Sequence, residues 1–141
     1  MPVIALDVGA KRIGVAMADP SGSFALPLTV LERTNIRADL AALTALLREY
    51  DAHELVVGDP VSLSGERRIA SEKMDRFVEQ LARVFSGKIH RVDERLTTAQ
   101  AQRALIALDV SRGKRRGAID KMAAALILET FLAQRRNRME D

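Results

Sequence analysis

The chain has 141 residues, the length of one domain whose core can hide roughly 70% of the unfolded surface. Hydrophobic residues make up 48% and charged residues 29%, ordinary globular usage that excludes wholesale disorder; the absence of cysteine excludes a disulfide scaffold, a thiol nucleophile and any cysteine-ligated zinc or iron–sulfur site. Lysine and arginine number 22 against 19 acidic residues, a net charge of +3 that defines no partner by itself, and no apolar run approaches the ~20 residues of a membrane span.

Val3 to Val8 is almost wholly apolar, as in a strand covered on both faces. Gly9-Ala10-Lys11-Arg12 reads as a hairpin turn with positive φ available at Gly9, and Ile13 to Ala18 as a second strand. After Asp19-Pro20-Ser21-Gly22 comes a third strand, from Ala25 to Leu31, which Pro27 places at a sheet edge. Ile36, Leu40, Leu43 and Leu47 recur at helical spacing and predict a helix over 36–50. Residues 54–58 read as a buried strand and 59–65 as a loop. Ala70, Met74, Phe77, Leu81 and Phe85 mark a second helix, and residues 88–92 a fifth strand. Thr97 to Gln100 matches a capping box opening a helix through Ala101, Leu105 and Leu108. Ser111 to Gly117 is expected to break the chain as a glycine-bracketed basic loop, before a last helix from Ala118 to about Arg135 with Ala124, Ile127 and Phe131 on one stripe. Three hairpin-linked strands followed by alternating helices and strands predict an α/β fold, one domain over 1–141, with a mixed five-stranded sheet and helices on both faces.

Carboxylates interrupt this pattern. Asp7 sits in an apolar strand, where an unpaired charge costs several kcal/mol, so it either meets a cation or hydrogen-bonds the following turn. Asp93 and Glu94 end the fifth strand beside a helix start, where α/β sheets place ligands; Glu94 also has Arg95 beside it for a local ion pair, and adjacent strand residues point to opposite faces. Asp120 shares the stripe of Ala124, Ile127 and Phe131, and it either joins a site or stabilises a helix N-terminus. Asp/Glu without histidine or cysteine suits Mg²⁺ or Mn²⁺ rather than zinc, and two such ions can drive phosphodiester hydrolysis. His53 and His90 form no motif. Arg112, Lys114, Arg115 and Arg116, and the C-terminal Arg135, Arg136 and Arg138, are candidate phosphate contacts or solvated surface.

The run Ile4-Ala-Leu-Asp-Val-Gly-Ala-Lys-Arg-Ile-Gly-Val-Ala16 resembles the opening signature of the YqgF family, RuvC-like nucleases of the ribonuclease H superfamily. Val56-Val-Gly-Asp-Pro60 with Gly65, Asp93-Glu-Arg-Leu-Thr-Thr98, and Asp120-Lys-Met-Ala-Ala-Ala-Leu-Ile-Leu-Glu129 resemble its later motifs, in order, across essentially the whole chain. The resemblance implies an RNase H-like fold and metal-dependent cleavage of nucleic acid. By it, Asp7, Glu94 and Asp120 are the catalytic, metal-binding carboxylates with Asp93 as a helper, and Lys11 and Arg12 lie in the first hairpin turn near the substrate backbone. Arg95 and the basic segment of Arg112, Lys114, Arg115 and Arg116 are further candidate nucleic-acid contacts. The family is associated with processing the 5′ end of pre-16S rRNA and, by similarity to RuvC, with four-way DNA junctions. Asp59 departs from the motif, which has an apolar residue there, and either joins the metal site or caps its loop. Junction cleavage calls for a homodimer, RNA trimming for one active site. A cytoplasmic, cysteine-free enzyme is expected. A sugar-kinase-like ATPase would need a second domain, and a non-catalytic RNA-binding module of the same fold would have no use for clustered acid.

Overall fold

The two faces of the first strand differ in bulk, and that difference assigns the helices. Alternate residues Ile4 and Leu6 present large side chains to one side, Val3 and Ala5 smaller ones to the other. The structure, a computed structural model, describes residues 2–59, 65–93 and 112–140. Strands β1 (Val3–Val8), β2 (Arg12–Ala18), β3 (Ala25–Glu32), β4 (Glu54–Asp59) and β5 (Lys88–Asp93) form one sheet in the order β3-β2-β1-β4-β5. The β1–β2 and β2–β3 pairs are antiparallel and the β1–β4 and β4–β5 pairs parallel. The mixed sheet is the one predicted. Pro27 does lie on the edge strand, beside an irregularity where Val15 pairs with Thr29 but Ala16 with Pro27.

Helices α1 (Ile36–Glu49) and α2 (Gly65–Val84) cover the bulky face: Ile4, Leu6, Ile13, Val15, Leu55 and Val57 meet Leu43, Leu46 and Leu47 of α1 and Met74, Phe77 and Leu81 of α2. The other face is floored by small residues, Ala5, Ala16, Ala18 and Ala25, and receives Ala124, Ile127, Leu128 and Phe131 of α3 (Arg112–Glu140). Short side chains on both partners let α3 approach closely. Among the described residues no helix is long and apolar enough to cross a membrane.

Several expectations are corrected. The break predicted for Ser111 to Gly117 is helix from Arg112 onward. Each interior glycine costs about 1 kcal/mol relative to alanine, but Lys and Arg are good helix formers and the packed stretch downstream supplies the nucleus. Gly9 has no positive φ; among the described glycines only Gly22 does. Gly9 is needed for closeness instead, because a Cβ there would sit 3.0 Å from the Arg12 carbonyl oxygen. In α1, capped by the Asn35 side chain accepting from Ala38 N–H, Asp39 takes a core-facing position and Ile36 is exposed. Helix α2 begins at Gly65, earlier than the apolar stripe suggested. Residues 60–64 of the predicted loop and the predicted capping box at Thr97 with its helix lie outside the described residues.

The C-terminal arginines are put to structural use. Arg135 donates to Glu54 at the start of β4 and lies 4.5 Å over the Phe131 ring, and Arg136 donates to the Ser23 carbonyl. His90 completes this end, with Nε2 3.1 Å from Glu54 Oε2 and its ring 4.6 Å from that of Phe131. Burial pushes the Glu54 carboxyl up, but hydrogen bonds and charge from Arg135 and His90 outweigh it and hold the carboxyl below its ordinary value. A carboxyl lowered on folding stabilises above its unfolded value, and that stability is lost as pH falls through the folded one. Glu54→Gln is therefore expected to cost about 0.5–1 kcal/mol in urea unfolding at pH 7. The cost should vanish as the pH falls through the lowered value of Glu54.

Candidate active site

Asp7 and Gly14 face each other across the β1–β2 ladder. Alternation with Ala5 and Ala16 puts both on the side of α3. Gly14 is where that helix touches down. A Cβ at this position would lie 2.0 Å from the carbonyl oxygen of Asp120 and 3.1 Å from its Cα. Opposed residues on paired antiparallel strands hold their Cβ positions ~4.5–5.5 Å apart, so the Asp120 backbone rests one residue-width from Asp7. Two of the three carboxylates predicted to converge are thus brought together by a glycine.

Asp120 lies in the third turn of α3, so the helix dipole is not what holds it. Its Oδ2 accepts a 2.8 Å hydrogen bond from Arg12 Nε, and the two side chains are 23% and 26% exposed. Arg12 shares the face of Gly14 by alternation, and Glu32 is its register partner on β3. The bond to Asp120 raises the already high pKa of the Arg12 guanidinium, against a smaller opposing effect of burial. Arg12, predicted to lie near substrate backbone, is thus engaged with a predicted metal ligand.

The turn between β1 and β2 is held from outside. Arg33 donates from Nη1 to the Gly9 carbonyl at 2.8 Å and from its backbone N–H to the Lys11 carbonyl at 2.9 Å. Its Nε bonds Asp39 Oδ2 at 2.9 Å, and its guanidinium lies 5.3 Å from the Phe77 ring centroid. Asp39 is 5% exposed and also accepts from Thr34 N–H at 3.1 Å. This half-buried pair fixes the turn that presents exposed Lys11 beside the Asp7 strand end. Sequence reasoning missed Arg33 and Asp39. Asp39 carried the signal that exposed Asp120, a charge among apolar positions of a helix, here Leu43, Leu46 and Leu47.

Other predicted site residues are elsewhere. Asp59 and Asp93 are register partners on β4 and β5, and alternation turns both toward α2, away from Asp7. Arg91, two residues before Asp93 and on the same face of β5, donates to Asp59 Oδ1 at 2.9 Å and to Asp75 Oδ1 at 2.6 Å. Asp59 is thus an ion-pair partner of Arg91 across the sheet from Asp7. Glu94 and Arg95 lie outside the described residues. The backbone at Arg112, Lys114, Arg115 and Arg116 is helical, in the eight residues ahead of Asp120, and carries α3 about 12 Å past Gly14; their side chains are outside what is described. Among the described residues no group of three or more His, Asp or Glu side chains is placed to hold a metal. The pair Asp7 and Asp120 does fit a share of one: both donors are oxygen, both stand on one face at a strand end, and Asp120 already attracts a cation.

The sequence profile described as "RuvX: Holliday junction resolvase" matches residues 1–134. The chain belongs to the RuvX family. Relatives named "Putative pre-16S rRNA nuclease" include one from Thermoanaerobacter pseudethanolicus, 42% identical over 98% of this chain and 100% of the relative, and one from Moorella thermoacetica, 45% identical over 94% of each. Among solved structures, Thermus thermophilus RuvC in complex with a Holliday junction substrate superposes with a TM-score of 0.59 at 16% identity, covering 96% of each chain. The fowlpox virus Holliday junction resolvase gives 0.56 at 13% identity, covering 95% of this chain and 99% of that one. The RuvX chain therefore has the RNase H-like fold of RuvC, as its motifs implied.

Two substitutions test how this RuvX chain assembles its site. Gly14→Ala must push α3 off the sheet, since a methyl cannot share space with the Asp120 carbonyl. Expected is a loss of at least about 3 kcal/mol by denaturant unfolding, the upper range for overpacking. Asp39→Ala leaves the Arg33 guanidinium without its carboxylate. A cost of about 2–3 kcal/mol is expected in the same measurement, below that of a fully buried pair because Arg33 reaches water.

Proposed function

We propose that this chain is a divalent-metal-dependent nuclease that hydrolyses phosphodiester bonds in structured RNA, with the 5′ end of pre-16S rRNA as its substrate. The observation that carries the reading is the contact of Asp120 with Gly14, which sets a second carboxylate beside Asp7 on one face of the sheet. The names of the full-length relatives support the substrate. Asp7 and Asp120 would hold Mg²⁺ or Mn²⁺, with Glu94, the residue after Asp93, as the further ligand. A cation bound there supplies positive charge to the phosphodiester oxygens as water attacks phosphorus.

The chain's own residues do the rest. The braced turn offers Lys11 to the substrate backbone, and the basic first turns of α3 extend past the cleft toward phosphates farther along the strand. Such contacts fix position without reading bases, which suits a structured RNA met by shape. One Tyr, four Phe and no Trp leave no stacking platform for long single strands.

The test is a cleavage assay on labelled pre-16S leader RNA and on a four-way DNA junction, with Mg²⁺ or Mn²⁺ and with chelator. Metal-dependent cutting of the RNA is expected. Cutting of the junction alone would transfer the reading to junction resolution, the activity in the family's name, and would call for a dimer with two active sites. Binding without cutting would leave an RNA-binding module. Asp7→Asn should lower the cleavage rate by more than the roughly 10–100-fold that loss of an outer-sphere partner costs, with circular dichroism and thermal midpoint preserved.

A further inference from the structure

The Arg12 guanidinium occupies one oxygen of the carboxylate that a metal ion would need. Nε of Arg12 donates to Asp120 Oδ2 at 2.8 Å, directly above the contact of Asp120 with Gly14. A guanidinium and a dication cannot share one carboxylate oxygen without repulsion, which the partial burial of both side chains leaves only partly screened. Arg12 has somewhere to go. It stands at the first position of β2 with its side chain partly open to solvent, and its register partner Glu32 on β3 offers a second, exposed carboxylate.

We propose that Arg12 is a counter-cation that holds Asp120 in the metal-free protein, and that an entering divalent cation displaces it toward Glu32 and the open rim, freeing a phosphate-binding guanidinium at the moment the site is loaded. The proposal rests on the nuclease reading only for the placement of the ion at Asp7 and Asp120. It makes Arg12 a positioning residue, neither a metal ligand nor a fixed substrate contact. It also gives metal and nucleic acid a reciprocal coupling: whatever draws Arg12 away, ion or phosphate backbone, eases the binding of the other. The metal-free enzyme keeps the Asp120 carboxylate paired, and the loaded enzyme gains a cation on the substrate side.

The test uses the full chain without RNA. Mn²⁺ is titrated calorimetrically into wild type, Arg12→Gln and Asp120→Asn. Arg12→Gln is expected to bind Mn²⁺ about five- to tenfold more tightly than wild type, the worth of one charge-assisted pair in partial exposure, and Asp120→Asn more weakly. In parallel, the Nε–H resonance of Arg12 in wild type is followed by NMR as Mg²⁺ is added, a measurement that stands even if the variant folds poorly. It should leave the position of a carboxylate-bonded guanidinium as the site saturates. Equal or weaker Mn²⁺ affinity in Arg12→Gln, or an Arg12 signal unmoved by saturating Mg²⁺, overturns the proposal while leaving the nuclease reading intact. Failure of both wild type and Arg12→Gln to bind Mn²⁺ removes the metal site itself, and the proposal with it.

Discussion

Everything at the candidate site depends on a side chain that is missing. Gly14 lets the backbone of α3 rest on β2 at the one level where the opposing strand carries Asp7. A methyl there would overlap the Asp120 carbonyl and lift the helix, taking its carboxylate away from the partner it must face. The rest of the α3 side is built to the same tolerance, with Ala5, Ala16 and Ala18 on the sheet and Ala123, Ala124 and Ala125 on the helix. Small residues are weak sources of buried area, so this face contributes less hydrophobic stabilisation than the Ile, Leu and Phe packing beneath α1 and α2. Stability and function are divided between the two sides of the sheet, with the bulky core on one and the close approach on the other.

The same division sorts the acidic residues. The strand ends near Asp7 carry two sets of carboxylates, and the sheet separates them. Asp7 lies on the α3 side, where Asp120 comes down from the helix onto Gly14, whereas Asp59 and Asp93 lie on the α2 side, where Arg91 ties Asp59 to Asp75. Desolvation works against the charge on Arg91, but Asp75 and Asp59 prevail and raise its pKa, so Asp59 has its own cation on this face. The resemblance that pointed to Asp59 as a departure located a real acidic position, but parity along β4 places it on the face where an arginine waits.

How much of this the amino-acid order carries depends on whether the determining contact is local. The first four strands were legible as apolar runs of strand length and the fifth by its alternation, and Pro27 marked the edge. Asp7 and Asp120 stood out because a charge on an apolar element demands a reason. Asp39 carried the same mark and was hidden behind a plausible Ile36, Leu40 stripe, although residues 39, 43, 46 and 47 are the buried ones. The facing of β4 was not legible because Leu55, Val56 and Val57 are apolar on both sides and give no alternation to follow. The two glycines of the 111–117 segment were over-weighted, since local propensity is a small term beside the packing of the helix they lead into. The bond from Arg135 to Glu54 joins residues 81 apart, and Gly14 meets Asp120 across most of the chain; no window on the sequence contains either.

The alanine floor has a mechanical side. A helix lying on short side chains is held close but not held in place, because a smooth surface offers few ridges to stop it from sliding or rolling. The axial setting of α3 then comes from its ends, where Asp120 is pinned by Arg12 and Arg135 by Glu54, about 22 Å apart along the axis. The helix behaves as a rod between two dowels. Were the pin at the Asp120 end withdrawn, the far one, with Arg136 bonded to Ser23 beside it, would still set where along its axis the helix stands. Fine alignment at the cleft then draws on a glutamate at the opposite end of the strands.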